Sequence, residues 1–330
     1  MRICVFGAGA VGGHMAARLA AAGHTVSVMA RGPNLSAMRE RGLTLRTGDR
    51  VIRGRVQASD NPADLGPQDA VLVTTKANAV SPAAMAIAAL LTRDTPVVFV
   101  QNGIPWWYAL RLTRGRPTPP DLSKLDPGGA LHHSIGEERT VGGVVYSSNE
   151  VVEPGVIHNH SPQRNILVVG EIDDRPSSRV SALRAALVGA GLASPDGDDI
   201  RANVWQKLLR NISRSTLCCL VGETLHDSLG SSAALREIAR QGTREGLKIA
   251  AAHGISFDYD VEADFAPGSP FPPHKPSILQ DFELGRPMEV EALLMTPLAF
   301  ARAAGVPTPT LDTVVALIAH RAAARGLYGR

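Results

Sequence analysis

Lys207 and Asn211 lie four residues apart in Trp205-Gln206-Lys207-Leu208-Leu209-Arg210-Asn211, so on a helix both project from one face, with Ser215 a further turn along. An ammonium donor beside an amide suits protonation of an alkoxide while a carbonyl substrate is oriented. A Lys and an Asn on one helix face are more often a solvated surface pair, so spacing alone does not establish catalysis. A second chemistry-bearing element opens the chain. The apolar run Met1–Phe6 enters Gly7-Ala8-Gly9-Ala10-Val11-Gly12, a G-x-G-x-x-G loop followed by small and apolar residues to Ala22. A buried strand, a glycine turn and a closely packed helix make a dinucleotide site: Gly7 permits the turn, Gly9 admits a pyrophosphate, and Gly12 allows close helix–strand packing. The helix N-terminus then offers N–H groups and a positive dipole end to the phosphates.

The next strand selects among dinucleotides. Thr25–Ala30 ends at Arg31-Gly32 with no acidic residue to accept a ribose 2′-hydroxyl. Arg31 would instead fork onto a 2′-phosphate, which makes the expected cofactor NADP(H); the alternative is an arginine in a solvated loop.

The elements that must hold these groups can be read outward from them. Strand signals at Asp69–Thr75 and Thr95–Val100, with a helical stretch Ser81–Leu91 between, predict a parallel, doubly wound α/β sheet. Its ligand face would gather Arg31, Lys76 and Gln101-Asn102-Gly103 at the strand carboxyl ends. An irregular, proline-rich insertion near 104–139 follows, then β-segments at Val141–Val145, Val151–His158 and Asn165–Gly170 and a helix Ser178–Ala190. From about Asp199 the pattern is helical: Ile200–Leu220, Ser231–His253, Glu289–Ala304 and Pro309–Arg325, with Leu327–Arg330 as a frayed end. We expect a Rossmann-type domain over 1–198 and an all-helical domain over 199–330.

The 330 residues carry 34 Lys and Arg against 31 Asp and Glu, a net charge of +3, so no strong basic field points to nucleic acid or an anionic membrane. Neither a signal peptide nor a bilayer-spanning run is evident, and Cys4, Cys218 and Cys219 form no disulfide or zinc pattern; a cytoplasmic protein is expected. His132-His133 with His158 and His160 lack a completing carboxylate or cysteine, so no metal site is assigned.

Taken together, the chain resembles the ketopantoate reductase (2-dehydropantoate 2-reductase) family. The resemblance is carried by Gly7 to Gly12, Arg31, Thr75-Lys76, Gln101-Asn102-Gly103, Pro154-Gly155, Trp205-Gln206-Lys207-Leu208 with Asn211, and Ser277-Ile278-Leu279-Gln280-Asp281 followed by Glu289-Val290-Glu291. It implies a helical domain like that of 6-phosphogluconate dehydrogenases, and NADPH meeting a 2-keto acid between the two domains. It implies further that Lys207 is the general acid, that Asn211 orients the substrate, that Ser277 holds the substrate carboxylate, and that Asn102 lies beside nicotinamide and substrate. Arg31, Lys76 and Glu289 would contact the cofactor. Plainer readings stand beside these: Lys76 as a strand-end charge, Glu289 as a helix-start charge, Ser277 as a cap. Gln280-Asp281 reads as structural.

The departures fall on the substrate side. Ser215-Thr216 stands where the family pattern has Asn-Pro, with Ser215 then the candidate substrate contact; His274 replaces an Asn; and Gly222-Glu223-Thr224-Leu225 lacks the family's asparagine-bearing loop. Trp106-Trp107-Tyr108, directly after Asn102-Gly103-Ile104-Pro105, suggests a bulky acyl pocket, or else an anchor for the insertion. The expected activity is reduction of ketopantoate or a bulkier 2-keto acid. Alternatives are reduction of an imine in the same cleft and a non-catalytic NADP sensor. Helical domains of this type often associate, so a homodimer is expected.

Overall fold

The computed structural model describes residues 1–113, 115–196 and 199–329. They separate into two compact units: Met1–Gln101 with Asp126–Ile200, and Asn102–Leu125 with Arg201–Arg330. The expected boundary at residue 198 lies outside the described residues, as does Arg330.

The first unit is a mixed α/β body. Its seven-stranded sheet contains β1 (Arg2–Phe6), β2 (Thr25–Met29), β5 (Gln57–Ser59), β6 (Ala70–Val73), β7 (Val97–Phe99), β8 (Thr140–Tyr146) and β11 (Ile166–Glu171), in the order β11-β8-β7-β6-β1-β2-β5. All its pairings are parallel except that of β11 with β8, so the expected doubly wound sheet is present. The order reverses at β1, between β2 and β6, the kind of switch point at which open α/β sheets receive ligands. A second sheet contains β4 (Arg50–Gly54), β3 (Leu43–Thr47), β10 (Val156–Asn159) and β9 (Asn149–Glu153) in that order, and of these β3 and β4 lie outside the sequence reading. The stretch read as one β-segment from Val151 to His158 is a hairpin that turns at Pro154-Gly155, Gly155 having φ +77°. The helix expected over Ser81–Leu91 shrinks to a 3₁₀ turn and Ala84–Ala88.

The second unit is helical. Its main helices are Ile200–Arg210, Thr216–Val221, Ala233–Ala252, Ser277–Glu283, Thr296–Ala303 and Pro309–Ala324. Buried Glu245 caps the last of these, accepting from Thr310 N (3.0 Å) and Leu311 N (2.8 Å). Among the described residues three π-turns, Asn211–Ser215, His226–Gly230 and Glu291–Met295, interrupt or precede helices. No helix among the described residues is long and apolar enough to cross a membrane.

The insertion divides. Residues 102–125 belong to the second unit because Trp106–Ala109 is bound to the helix beginning at Ile200: the fully buried Arg201 donates through Nε to Tyr108 O (3.0 Å) and through Nη2 to Leu110 O. Its guanidinium also lies over the Trp107 and Tyr108 rings at 5.6 and 5.5 Å. Trp205 Nε1 donates to Tyr108 Oη at 2.8 Å. From Asp126 the chain rejoins the first unit, where the Asp126 carboxylate accepts from Ser81 Oγ, Leu131 N and His132 N. The aromatic triplet is therefore an anchor, and the expected acyl pocket is corrected: Trp107 and Tyr108 are essentially without exposed surface. The C-terminus is corrected too. Leu327 is buried and its carbonyl accepts from Met288 N at 2.9 Å, so this end is docked.

Arg201→Met is expected to destabilise the protein by about 3 kcal/mol, because two carbonyls lose a charged donor. Chemical denaturation checks this, and a loss under about 1 kcal/mol would refute the organising role of the guanidinium.

Candidate active site

In the first unit the glycine loop joins β1 to the Ala10–Ala21 helix. Gly7 has φ +113°, and a Cβ there would stand 2.7 Å from Thr75 Cγ2. A Cβ on Gly12 would stand 2.0 Å from the Gly7 carbonyl oxygen and 2.4 Å from Thr74 Oγ1, so helix and strand touch through their backbones. Gly9 differs from both: its φ is −76° and a Cβ would meet nothing within 4 Å. Neither conformation nor packing requires glycine at position 9, so the space beside it stays open, and a pyrophosphate at the helix N-terminus would fit there. Ala10 and Val11 begin that helix, and Ala8 O accepts from Asn34 Nδ2 at 3.5 Å.

Arg31 is exposed at the N-cap position of the Gly32–Arg41 helix, just past the end of β2, and its side chain has no hydrogen bond among the described residues. Lys76, half-buried, precedes the 3₁₀ turn Ala77–Ala79 after β6. Thr74 and Asn34, missed in the sequence, brace this end of the sheet together with Gln101. Thr74 Oγ1 donates to Gly7 O (2.7 Å), Asn34 Oδ1 accepts from Gly155 N (3.1 Å), and Gln101 Nε2 donates to Val73 O (2.8 Å) and Thr75 O (3.0 Å). Only Gln101 carried a signal, as part of Gln101-Asn102-Gly103.

In the second unit Lys207 and Asn211 occupy the helix and the π-turn that continues it, both half-buried. Burial pulls the Lys207 ammonium down from 10.5 to about 8, and the charge of Glu289 opposes that fall. Lys207 and Glu289 are thus brought within electrostatic reach. Glu289 is buried and immediately precedes a helical turn, its carbonyl accepting from Leu293 N at 3.0 Å, so it is a helix-start charge as well as a site candidate. The π-turn changes the geometry expected for Ser215. Thr216 Oγ1, five residues beyond Asn211, donates to Asn211 O at 3.0 Å, so Thr216 takes the place one turn above Asn211. Ser277 is exposed at the first position of its helix; Pro276 is the N-cap residue and the Ser277 hydroxyl makes no capping bond. The capping alternative is thereby removed. Gln280 Nε2 donates to Lys275 O at 2.9 Å, a structural bond. Among the described residues no group of three or more His, Cys, Asp or Glu is placed to hold a metal ion.

Comparison with known proteins accounts for both units. The ketopantoate reductase PanE/ApbA family model matches residues 3–174, and the PanE/ApbA C-terminal model matches 199–322. A 2-dehydropantoate 2-reductase of Mesorhizobium japonicum is 40% identical over 329 residues, 99% of this chain and 100% of that protein. The crystal structure of a PanE/ApbA family ketopantoate reductase from Ralstonia eutropha JMP134 superposes with TM-score 0.82 at 26% identity, covering 99% of this chain and 100% of the other. At 19% identity, D-mandelate dehydrogenase with NADH and anilino(oxo)acetate shares the fold, with TM-score 0.79 and 99% coverage of each chain. Matched by family models across both units and by a full-length relative, this chain belongs to the ketopantoate reductase family.

Proposed function

We propose that this protein reduces ketopantoate to pantoate with NADPH, and that Lys207 delivers the proton. The observation that carries the reading is a lysine held near a pKa of 8 beside a buried carboxylate, in a chain whose full length matches the family. Reduction of a 2-keto acid needs a hydride, a proton and a fixed carboxylate. Bound NADPH supplies the hydride. Gly7 to Gly12 receive its pyrophosphate, and Arg31 and Lys76 add cationic contacts. Lys207 Nζ gives its proton to the substrate carbonyl oxygen as charge develops there, leaving a neutral amine that solvent reprotonates. Asn211 and Asn102 orient the carbonyl, and Ser277 Oγ donates to the carboxylate. Glu289 keeps the ammonium protonated in addition to any cofactor contact.

A different 2-keto acid is the second reading, favoured by Ser215, Thr216 and His274 where the family pattern has Asn, Pro and Asn. NADPH oxidation measured with ketopantoate, with larger and aromatic 2-keto acids, and with each acid plus an amine separates these possibilities. Fast turnover of another substrate without turnover of ketopantoate would remove the first reading.

Since the acid must be protonated, kcat/KM for reduction is expected to fall as pH rises through about 8. Lys207→Ala should lower turnover by roughly 10² to 10⁴ and abolish that limb, with NADPH affinity little changed. A limb that survives the substitution would assign the acid elsewhere. For the cofactor, Gly9→Ala should leave the thermal midpoint unchanged while weakening NADPH and NADH alike. Arg31→Ala should weaken NADPH far more than NADH. Titration of cofactor fluorescence reads both, and equal losses for the Arg31 variant would rule out 2′-phosphate recognition.

A further inference from the structure

The Asn102-Gly103-Ile104 segment rests on the π-turn Glu291–Met295, within the second unit. Gly103 has φ +83°, and a Cβ there would stand 2.4 Å from the Ala292 carbonyl oxygen, 2.5 Å from its carbon and 2.8 Å from Leu293 N. Backbone meets backbone, and no side chain fits between them. One residue on, Ile104 N donates to Ala292 O at 2.9 Å.

That carbonyl is available for a reason contained in the helix. In an α-helix its donor would be Thr296 N–H, but in the π-turn Thr296 N–H reaches Glu291 O instead. The donor in π register would be residue 297, and Pro297 has no N–H. Ala292 O is therefore orphaned in both ladders, and Ala292 is buried. A buried carbonyl needs a partner, and Ile104 N–H supplies one. The same turn is tied upstream to Glu289 by Leu293 N–H, while Asn102 Oδ1 is buried with no hydrogen-bond partner among the described residues.

We propose that Gly103 and Pro297 are positioning residues for the reaction. Pro297 leaves the Ala292 carbonyl open, Gly103 lets the loop close on it, and the resulting latch holds the Asn102 amide in register with Glu289 and Lys207. The inference rests on the assignment of Asn102 to the reaction made above.

Pro297→Ala tests it without threatening the fold, because alanine is favoured inside a helix and supplies an N–H that competes for the Ala292 carbonyl. Amide exchange at Ile104 should accelerate about tenfold or more as its bond is opened. In the same variant kcat should fall about tenfold with NADPH affinity unchanged. Asn102→Ala should cost less in the Pro297→Ala background than in the wild type, the mark of two residues acting as a unit. Unchanged Ile104 exchange overturns the latch, whatever happens to activity. Faster exchange with unchanged kcat, or losses that simply add, overturns the positioning role. Full turnover of Asn102→Ala in the wild-type background overturns the reading of Asn102 itself, and the exchange measurement still decides whether the latch exists.

Discussion

A guanidinium in a dry interior must find acceptors for its N–H groups and a source of negative potential, or the fold does not form around it. Arg201 meets both needs with one short turn, using the Tyr108 and Leu110 carbonyls and the faces of Trp107 and Tyr108. That requirement fixes the segment after Gln101 to the helix that carries Lys207, six residues further along or about 9 Å of helical rise. Trp205 and Phe300 complete the packing, Phe300 standing edge-on to Tyr108 with ring centroids 5.1 Å apart. Aromatic surface that might have framed a substrate is consumed in holding the segment down.

The π-turns have a shared logic. Each accommodates one residue more than an α-helical turn, which loosens carbonyls from the i−4 ladder and rotates every later side chain about the axis. The loosened groups are reused. After Lys207, Thr216 Oγ1 donates to Asn211 O and to Ile212 O (2.9 Å), and Ser213 Oγ donates to Leu209 O (2.6 Å). Ahead of Pro297 the spare carbonyl receives the loop that bears Asn102. Two of the three interruptions thus lie where candidate site residues are placed, Asn211 on one and Glu289 just ahead of the other.

How much of this was legible in the sequence follows from the range of the forces involved. The strand–glycine–helix unit is written locally: an apolar run, three glycines and an Ala-rich helix occupy adjacent residues, and the sheet that extends it repeats the pattern. Lys207, Ser277 and Glu289 were singled out through their order along the chain, and their roles are part of the proposal. β3 and β4 were not, because Leu43, Leu45 and Ile52 alternate with Thr44, Arg46 and Arg53, a weak signal until the Ala10–Ala21 helix covers one face. That cover depends on contacts remote in sequence: a Cβ on Gly54 would stand 2.9 Å from Ala20 Cβ, and one on Gly13 would stand 2.7 Å from Ile157 Cδ1. π-turns change no composition at all, and only Pro297, a proline inside an otherwise helical pattern, hinted at one of them. The destination of Trp106-Trp107-Tyr108 was illegible for a related reason: its partner Arg201 lies more than ninety residues away.

The electrostatics of the lysine draw these parts together. Burial favours the neutral amine, and a carboxylate at short range favours the ammonium; an acid that works near neutral pH needs the two kept in balance. With only the first influence, Lys207 would hold its proton too weakly, and with only the second it would part with it too reluctantly. The fall from 10.5 to about 8 is set first by the burial of Lys207, and the charge of Glu289 opposes it. Glu289 is placed by backbone bonds on either side, Met288 N–H to Leu327 O and Leu293 N–H to its own carbonyl. Tyr328 Oη adds a bond to Glu291 Oε2 at 2.6 Å. Leu327 and Tyr328, which the sequence presents as part of a loose end, thus bond to the residues on either side of the carboxylate that faces Lys207.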